Sequence, residues 1–215
     1  MDFEAWEPFY EEIRKDFGFS QAEDETVAAE LDQRLRGVRI GDAELRTLLR
    51  GKEVTVAGNG PNVGDEIKGS RGVLVTADEA TSVALEHGLL PAILVTDLDG
   101  NVSDQVKANE EGTIAVIHGH GDNGLAVQEW APRFSGRTVA TTQARPTGGL
   151  RNFGGFTDGD RAVCLADHFG AARIHLVGFD FENPNEKDRD RRTKQRKLDW
   201  AYILLGSLER DDLDL

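Results

Sequence analysis

Residues 92–123 read AILVTDLDGNVSDQVKANEEGTIAVIHGHGDN, and this stretch decides the fold class. Two short apolar runs, at 92–96 and 113–117, enclose a segment with a helical pattern at 102–111. Each run is bounded by polar or glycine-rich residues, as buried strands are. A strand, a helix and a second strand in this order indicate a βαβ unit with parallel strands.

The same alternation extends over the rest of the chain from residue 52. We predict strands at 54–57, 72–76, 92–96, 113–117, 138–142 and 173–177. We predict helices at 62–68, 79–87, 102–111, 123–133, 158–169 and 185–208. Strands that alternate with helices predict an α/β fold in which helices flank a mainly parallel, Rossmann-like sheet.

The first 50 residues are predicted to be helical. A first helix has apolar residues at helical spacing, a second is expected at 23–35, and Asp42 is a candidate N-cap for a third that ends at 49. The apolar positions of the first helix are Ala5, Phe9, Ile13 and Phe17. This part contains no chemical motif, so we predict a helical N-terminal subdomain, 1–50, packed on an α/β catalytic domain, 51–215.

Composition and net charge indicate which partners and which compartment to expect. The formal net charge is −14, with 18 arginines, 7 lysines and 21 aspartates. A lysine-poor acidic surface favours adaptation to concentrated salt, and an acidic protein of a mesophile is the alternative. Such a charge disfavours nucleic acid as a partner. No apolar run approaches the roughly 20 residues of a membrane span, and the N-terminus lacks a signal-peptide pattern. With Cys164 as the single cysteine, we expect a cytoplasmic protein without disulfides.

Chemically useful side chains follow almost every predicted strand. Because ligands of open parallel sheets bind beyond the carboxyl ends of the strands, these residues should meet at one edge. They are Gly58, Asn59, Gly60 and Asn62 after the first strand, Asp78 after the second, Asp97 and Asp99 after the third, and His118, His120, Asp122 and Asn123 after the fourth.

Two of these groups favour a site for metal and phosphate. The glycine turn at 58–60 could cradle a phosphate on backbone amides, and an ordinary tight strand–helix turn is the alternative. Asp97 and Asp99 offer the paired carboxylates that Mg²⁺ prefers, with Asp78 as a third candidate. The alternatives are turn aspartates and, for Asp78, a helix N-cap.

Cationic and aromatic groups lie elsewhere in the chain. His118 and His120 alternate with glycine, which favours a backbone that approaches substrate or phosphate closely, with a structural histidine as the alternative. Lys194 and Lys197 lie one turn apart on the charged last helix and could neutralise phosphate, and a solvated helix face is the alternative.

Residues 151–162 are rich in glycine, aromatic residues and acids. Phe153 and Phe156 could stack on a flat ring, with hydrogen bonds from Asn152 and Asp158.

Together these segments resemble the archaeal 6-hydroxymethyl-7,8-dihydropterin diphosphokinases of the MptE type. The resemblance covers roughly residues 50 to 205, and the core is also distantly similar to the catalytic domain of thiamine diphosphokinases. One departure is Glu79, where relatives often have glycine after the aspartate. The blocks that carry the resemblance are Gly58-Asn59-Gly60-Pro61, Thr96-Asp97-Leu98-Asp99-Gly100, His118-Gly119-His120-Gly121-Asp122-Asn123, Asn152-Phe153-Gly154-Gly155-Phe156-Thr157-Asp158-Gly159-Asp160-Arg161 and Gly178-Phe179-Asp180.

The resemblance implies transfer of a diphosphate from ATP, with Mg²⁺, to the hydroxymethyl group of a reduced pterin, with release of AMP, in folate or methanopterin synthesis. The partners would be these small molecules, and the oligomeric state stays open. The resemblance implies that Mg²⁺ is bound by Asp97 and Asp99 with Asp78 or Asp122, and that catalysis depends on Asp97, Asp99 and Lys197. The residues implied to bind phosphate are Gly58, Asn59, Gly60, Asn62, His118, His120, Lys194 and Lys197. Those implied to bind the pterin are Asp122, Asn123, Asn152, Phe153, Phe156 and Asp158. The proton acceptor stays open between a carboxylate and metal-bound water.

Three other classes share part of this pattern. The segment from Asp97 to Asn101 is similar to the nucleophile loop of haloacid-dehalogenase phosphatases, although that loop normally follows the first core strand. A sugar-nucleotide-dependent glycosyltransferase could use Asp-x-Asp for its metal, and it is the main alternative. A non-catalytic nucleotide-binding module would bind nucleotide without releasing AMP.

Overall fold

A computed structural model describes residues 1–184, 190–213 and 215. In this part of the chain six strands form one sheet in the order β5-β4-β3-β2-β1-β6, and every pairing is parallel. The predicted α/β architecture is therefore confirmed. The strands are β1 (Glu53–Ala57), β2 (Val73–Ala77), β3 (Ile93–Thr96), β4 (Ile114–Gly119), β5 (Thr138–Thr142) and β6 (Arg173–Val177).

The helices also follow the prediction closely. They are α1 (Phe3–Phe17), α2 (Gln21–Arg34), α3 (Asp42–Leu49), α4 (Val63–Glu66), α5 (Ala80–Glu86), α6 (Val102–Glu110), α7 (Gly124–Trp130), α8 (Asp158–His168) and α9 (Arg191–Gly206). The predicted start of the last helix, 185–189, lies outside the described residues. None of the helices in the described ranges is both long and apolar enough to cross a bilayer.

The third helix begins differently from the prediction. Gly41 is its N-cap and Asp42 is its first helical residue. The Asp42 carboxylate instead accepts a hydrogen bond from Arg151 Nε at 2.7 Å, so it ties α3 to the segment that follows β5.

Alternation along the strands places two hydrophobic layers on the sheet. Ile93 and Val95 pack on one face in a cluster that includes residues of α3 and α8. Leu94 points to the other face, where it packs in a cluster with residues of α2, α6 and α7. Helix α8 thus lies across the middle of the sheet, which brings its N-terminus to the carboxyl ends of β2 and β3.

The N-terminal segment packs directly on the sheet. Thr138 of β5 exchanges backbone hydrogen bonds with Val38 and Ile40, so residues 38–40 cover the β5 edge. On α1, Ile13 is buried and Phe9 and Phe17 pack against the same cluster, as predicted, whereas Ala5 is exposed and Trp6 beside it is buried. The proposed division at residue 50 stays a prediction.

Candidate active site

The loops after β2 and β3 have unusual backbone conformations. Asp78 has φ +48° and Leu98 has φ +68°, values that non-glycine residues rarely adopt. Such strained residues cluster at functional sites, where surrounding contacts hold them. Here the Leu98 amide donates to the Thr96 hydroxyl at 2.8 Å, and that hydroxyl lies 2.7 Å from Asp78 Oδ1.

Three carboxylates meet at this edge of the sheet. One oxygen each of Asp78, Asp97 and Asp158 lies within 4.8 Å of the others. Asp78 and Asp97 follow β2 and β3, and Asp158 is the first residue of α8. Carboxylate oxygens at this separation fit a hard divalent cation such as Mg²⁺. We call these three residues the carboxylate cluster.

Burial and mutual repulsion perturb the ionisation of the carboxylate cluster. Burial and the charges of Asp158 and Asp97 raise the pKa of Asp78 well above its ordinary value. Burial and the charge of Asp97 also raise the pKa of Asp158. Burial acts in the same direction on Asp97, but the hydrogen bond and charge of His120 together with the charges of Arg161 and Lys197 outweigh it, and the pKa of Asp97 is lowered. A divalent cation held between these oxygens would relieve this repulsion.

Each member of the carboxylate cluster is held by a neighbour. His120 Nε2 lies 3.3 Å from Asp97 Oδ2, and Arg161 donates to Asp158 Oδ1 at 3.0 Å. Both side chains of the Asp158–Arg161 pair are 8% exposed, so this ion pair is largely shielded from water. Such supporting contacts fix ligand orientation.

A cleft of about 190 Å³ opens beside the carboxylate cluster. One side is formed by the loops after β1 and β6, and α9 closes the other side. Its lining includes Gly58, Asn59, Gly60, Asp78, Asp97, Asp99, Phe156, Asp158, Phe179, Asp180, Phe181, Asn183, Lys194 and Lys197. Carboxylates, two lysines and aromatic rings in one cleft can bind a metal–phosphate group next to flat rings.

The glycine turn after β1 has a structural reason that the sequence did not reveal. The amides of Gly58 and Gly60 donate to the carbonyls of Val177 and Gly178 at 2.8 and 2.7 Å. A Cβ atom at Gly60 would lie 2.5 Å from the Gly178 carbonyl oxygen. Glycine is therefore required where the β1 and β6 loops cross, and these two amides are already engaged rather than turned to a phosphate as predicted.

Other predicted site residues lie outside the cleft. Asn62 donates to Glu66, and Asp122 is exposed on its loop. Asn123 supports the loops through bonds to the carbonyls of Asp97 and His118. None of these three residues lines the cleft, and their predicted contacts with phosphate, metal or pterin stay predictions.

The predicted ring-stacking residue Phe153 lies in the core. It is 6% exposed, and its ring centroid is 5.3 Å from that of Phe169. Asn152 is buried as well and donates to the carbonyls of Gln143 and Ala144. Both residues shape the loop, and neither lines the cleft.

His118 is also buried beneath the site. Its Nδ1 lies 3.0 Å from the Thr141 hydroxyl. Burial, with the charges of Arg161 and His120, holds the pKa of His118 well below its ordinary value. A neutral, buried histidine does not fit the predicted contact with phosphate.

Asp158, and not Asp99, completes the carboxylate cluster. Asp99 is exposed and lines the cleft outside the carboxylate cluster, although the sequence paired it with Asp97 as a ligand. Asp158 was assigned to the pterin, yet it lies with Asp78 and Asp97. Sequence reasoning also missed Arg161 and Phe181; the Asp-x-x-Arg spacing at the start of α8 was the one available signal for Arg161.

Comparisons with known proteins agree on one family. The sequence profile of the family described as 6-hydroxymethylpterin diphosphokinase MptE-like matches residues 36–186. Two relatives are each named 6-hydroxymethyl-7,8-dihydropterin pyrophosphokinase. The one from Methanothermobacter thermautotrophicus is 38% identical, with 98% of this chain and 97% of the relative covered. The one from Pyrococcus furiosus is 42% identical, with 98% and 96% covered.

Among solved structures, the MAf glycosyltransferase from Magnetospirillum magneticum AMB-1 aligns with a TM-score of 0.42 and 20% identity. The alignment covers 76% of this chain and 29% of that one. So weak a likeness carries no conclusion about activity, and the distant similarity to thiamine diphosphokinases stays a prediction.

Proposed function

Because this chain belongs to the MptE-like family of 6-hydroxymethylpterin diphosphokinases, we propose that it transfers a diphosphate group from ATP to 6-hydroxymethyl-7,8-dihydropterin. The products would be AMP and the pterin diphosphate. The observation that carries the proposal for this chain is the carboxylate cluster at the end of a lysine-lined cleft. A polyphosphate donor needs both a divalent cation and cationic side chains beside it.

Asp78, Asp97 and Asp158 would hold Mg²⁺. They fit this ion because three mutually repelling carboxylates supply hard oxygen ligands within one small volume. When bound, the ion would neutralise charge on the transferring phosphates. Arg161 keeps Asp158 oriented, and His120 keeps Asp97 ionised.

Lys197 and Lys194 would bind the phosphate groups from the α9 side. Lys197 lies close enough to help lower the pKa of Asp97, and its Nζ is 5.8 Å from the centre of the Phe156 ring. Phe179 and Phe181, whose ring centres are 5.9 Å apart, would pack against the flat rings of the substrates.

The reaction joins the pterin hydroxyl oxygen to the β-phosphorus of ATP. The bond from that phosphorus to the oxygen bridging to the α-phosphate breaks, and the bridging oxygen leaves with AMP. The O–H bond of the pterin hydroxyl also breaks, and its proton passes to a nearby base or to solvent. The protein's contribution is alignment of the two oxygens and neutralisation of charge by its lysines.

The decisive experiment uses the purified protein with ATP, Mg²⁺ and 6-hydroxymethyl-7,8-dihydropterin. Mass spectrometry should detect AMP and the pterin diphosphate in equal amounts. ADP with a pterin monophosphate, or free phosphate alone, would contradict the proposal.

We expect Mg²⁺ to stabilise the protein more at about pH 8 than at about pH 5. The raised pKa values of Asp78 and Asp158 mean that the metal-free folded state binds more protons than the unfolded chain, so its stability falls as the pH rises above the ordinary aspartate value of 3.8. A bound cation should offset the stability that is lost when Asp78 and Asp158 ionise. At about 100 times its dissociation constant, it should raise Tm by about 5–10 °C.

Thermal unfolding with EDTA and with Mg²⁺ measures this effect. Asp97→Asn should lose most of the shift, and Asp99→Asn should keep it, because only Asp97 belongs to the carboxylate cluster. An equal shift in both variants would place the cation elsewhere.

A further inference from the structure

The loop that follows β4 rests on the N-terminal helix α2. A Cβ atom at Gly119 would lie 3.1 Å from Ala28 Cα, and one at Gly121 would lie 3.0 Å from Glu23 Cβ. The sequence indicated that these glycines allow close approach to a ligand. The structure shows instead that they allow close approach to α2.

A buried carboxylate on α2 fixes this loop. Asp24 is 2% exposed, and its Oδ1 accepts a hydrogen bond from the Gly121 amide at 2.7 Å. Its Oδ2 accepts from the Tyr10 hydroxyl at 2.7 Å and from Gln143 Nε2 at 2.9 Å. Asp24 therefore joins α1, α2, the end of β5 and the loop after β4 at one point.

The other end of the same loop supports the carboxylate cluster. His120, next to Gly121, approaches Asp97 through Nε2, and its amide donates to Asn123 Oδ1 at 3.0 Å. Asn123 in turn donates to the Asp97 carbonyl at 2.7 Å. A displacement of Gly121 would move both groups that hold Asp97.

We propose that Asp24 is a positioning residue for the cation site, so that the N-terminal helices form part of the catalytic apparatus. The proposal rests on the proposed function, because the site it positions is the one assigned to the metal. Asp24 touches neither substrate nor the carboxylate cluster; it acts through Gly121 and His120.

The energetic cost of burying Asp24 supports this assignment. Its three partners are neutral donors, and a buried carboxylate is costly to desolvate. An apolar residue at this position would leave the donors of Tyr10, Gln143 and Gly121 without an acceptor, so the arrangement is stable only while all three segments keep their places. The role of the carboxylate is to hold α1, the end of β5 and the loop after β4 in one geometry.

The test is calorimetric titration of Mn²⁺, without nucleotide or pterin, into Asp24 variants. Asp24→Leu removes the acceptor for Gly121 and should weaken Mn²⁺ binding about tenfold. Asp24→Asn keeps an oxygen that can accept from the Gly121 amide, and its NH₂ can donate to the Tyr10 oxygen. Its Mn²⁺ affinity should stay within about threefold of the wild type while its Tm falls.

Tyr10→Phe is the matched control. It removes one donor to Asp24 and leaves the bond to Gly121, so it should lower Tm without changing Mn²⁺ affinity. A merely structural Asp24 predicts the opposite pattern, in which every folded variant binds Mn²⁺ like the wild type. That result for folded Asp24→Leu would overturn the proposal.

Gly121→Ala disturbs the contact between the loop after β4 and α2 from the loop side. It is the second variant to test if Asp24→Leu does not fold. Its methyl group would lie 3.0 Å from Glu23 Cβ, so the loop and α2 must separate by a few tenths of an ångström and Mn²⁺ affinity should fall. Gly37→Ala, where a Cβ meets nothing within 4 Å, should leave the affinity unchanged. Unchanged affinity in folded Gly121→Ala, or a wild type that does not bind Mn²⁺, would overturn the proposal. Normal Mn²⁺ binding without diphosphate transfer would overturn the proposed function alone.

Discussion

Asp97→Asn should lower kcat by about a thousandfold or more, because a metal ion contributes several kcal/mol of charge stabilisation and each ~1.4 kcal/mol is a factor of ten. Asp97 contributes one of the three clustered oxygens, and its lowered pKa makes it the member of the carboxylate cluster most readily ionised. Steady-state release of AMP at saturating ATP and pterin measures the loss.

Asp99→Asn is the matched control for this prediction. Asp99 lies two residues further along the same loop, is exposed, and stands outside the carboxylate cluster. Its replacement should change kcat by less than about tenfold. Equal losses in both variants would support the ligand pair expected from the sequence, and near-normal turnover in folded Asp97→Asn would place the cation elsewhere.

Asp158→Asn should also abolish most activity, but its result needs a stability measurement beside it. The substitution leaves the Arg161 guanidinium buried without its carboxylate, which typically costs about 3–5 kcal/mol. Loss of turnover measured well below the variant's own lowered, cooperative Tm would assign the effect to the site rather than to the fold.

The fold was predictable because its signals are local. Short apolar strands alternate with helices from Glu53 onward, and right-handed crossovers leave few ways to arrange them. The order of the strands was not predictable from these signals. Placement of β6 beside β1 depends on α8, which crosses the sheet from β5 and packs against its centre.

The connection from β5 through α8 to β6 also explains which site residue the sequence did not reveal. Asp78 and Asp97 were expected together because strand ends share one edge of a parallel sheet. Asp158 begins a helix some 60 positions after Asp97, and only the path of α8 brings it to the other two. The Asp-x-Asp spacing therefore favoured Asp99, whose side chain is exposed.

Glycines and aromatic residues were assigned to ligands for a different reason. Both residue types occur at binding sites, yet they also serve close packing, and sequence alone does not separate the two uses. Gly121 approaches α2, and Phe153 packs on Phe169 in the core. Phe181 was overlooked because the segment after β6 carries no helical or strand pattern.

Gly60→Ala should destabilise the protein by about 3 kcal/mol, the cost of a severe overpacking. Its new methyl carbon would lie 2.5 Å from the Gly178 carbonyl oxygen and 2.9 Å from the carbonyl carbon, both of them backbone atoms. The Gly60 amide also donates to that oxygen at 2.7 Å, so the loops cannot separate without loss of this bond. For a chain of this size the loss corresponds to about 6–12 °C in Tm.

Gly64→Ala provides the control from the same turn. Gly64 lies in α4, where a Cβ atom meets nothing within 4 Å, and alanine is favoured over glycine in a helix by about 0.5–1 kcal/mol. Its Tm should therefore equal or exceed that of the wild type. If the Gly60→Ala and Gly64→Ala proteins have the same Tm, the β1 and β6 loops can move apart at their crossing without loss of stability. In that case glycine at position 60 would be required by a ligand, as the sequence first indicated, and the ATP KM of the Gly60→Ala protein should then be raised.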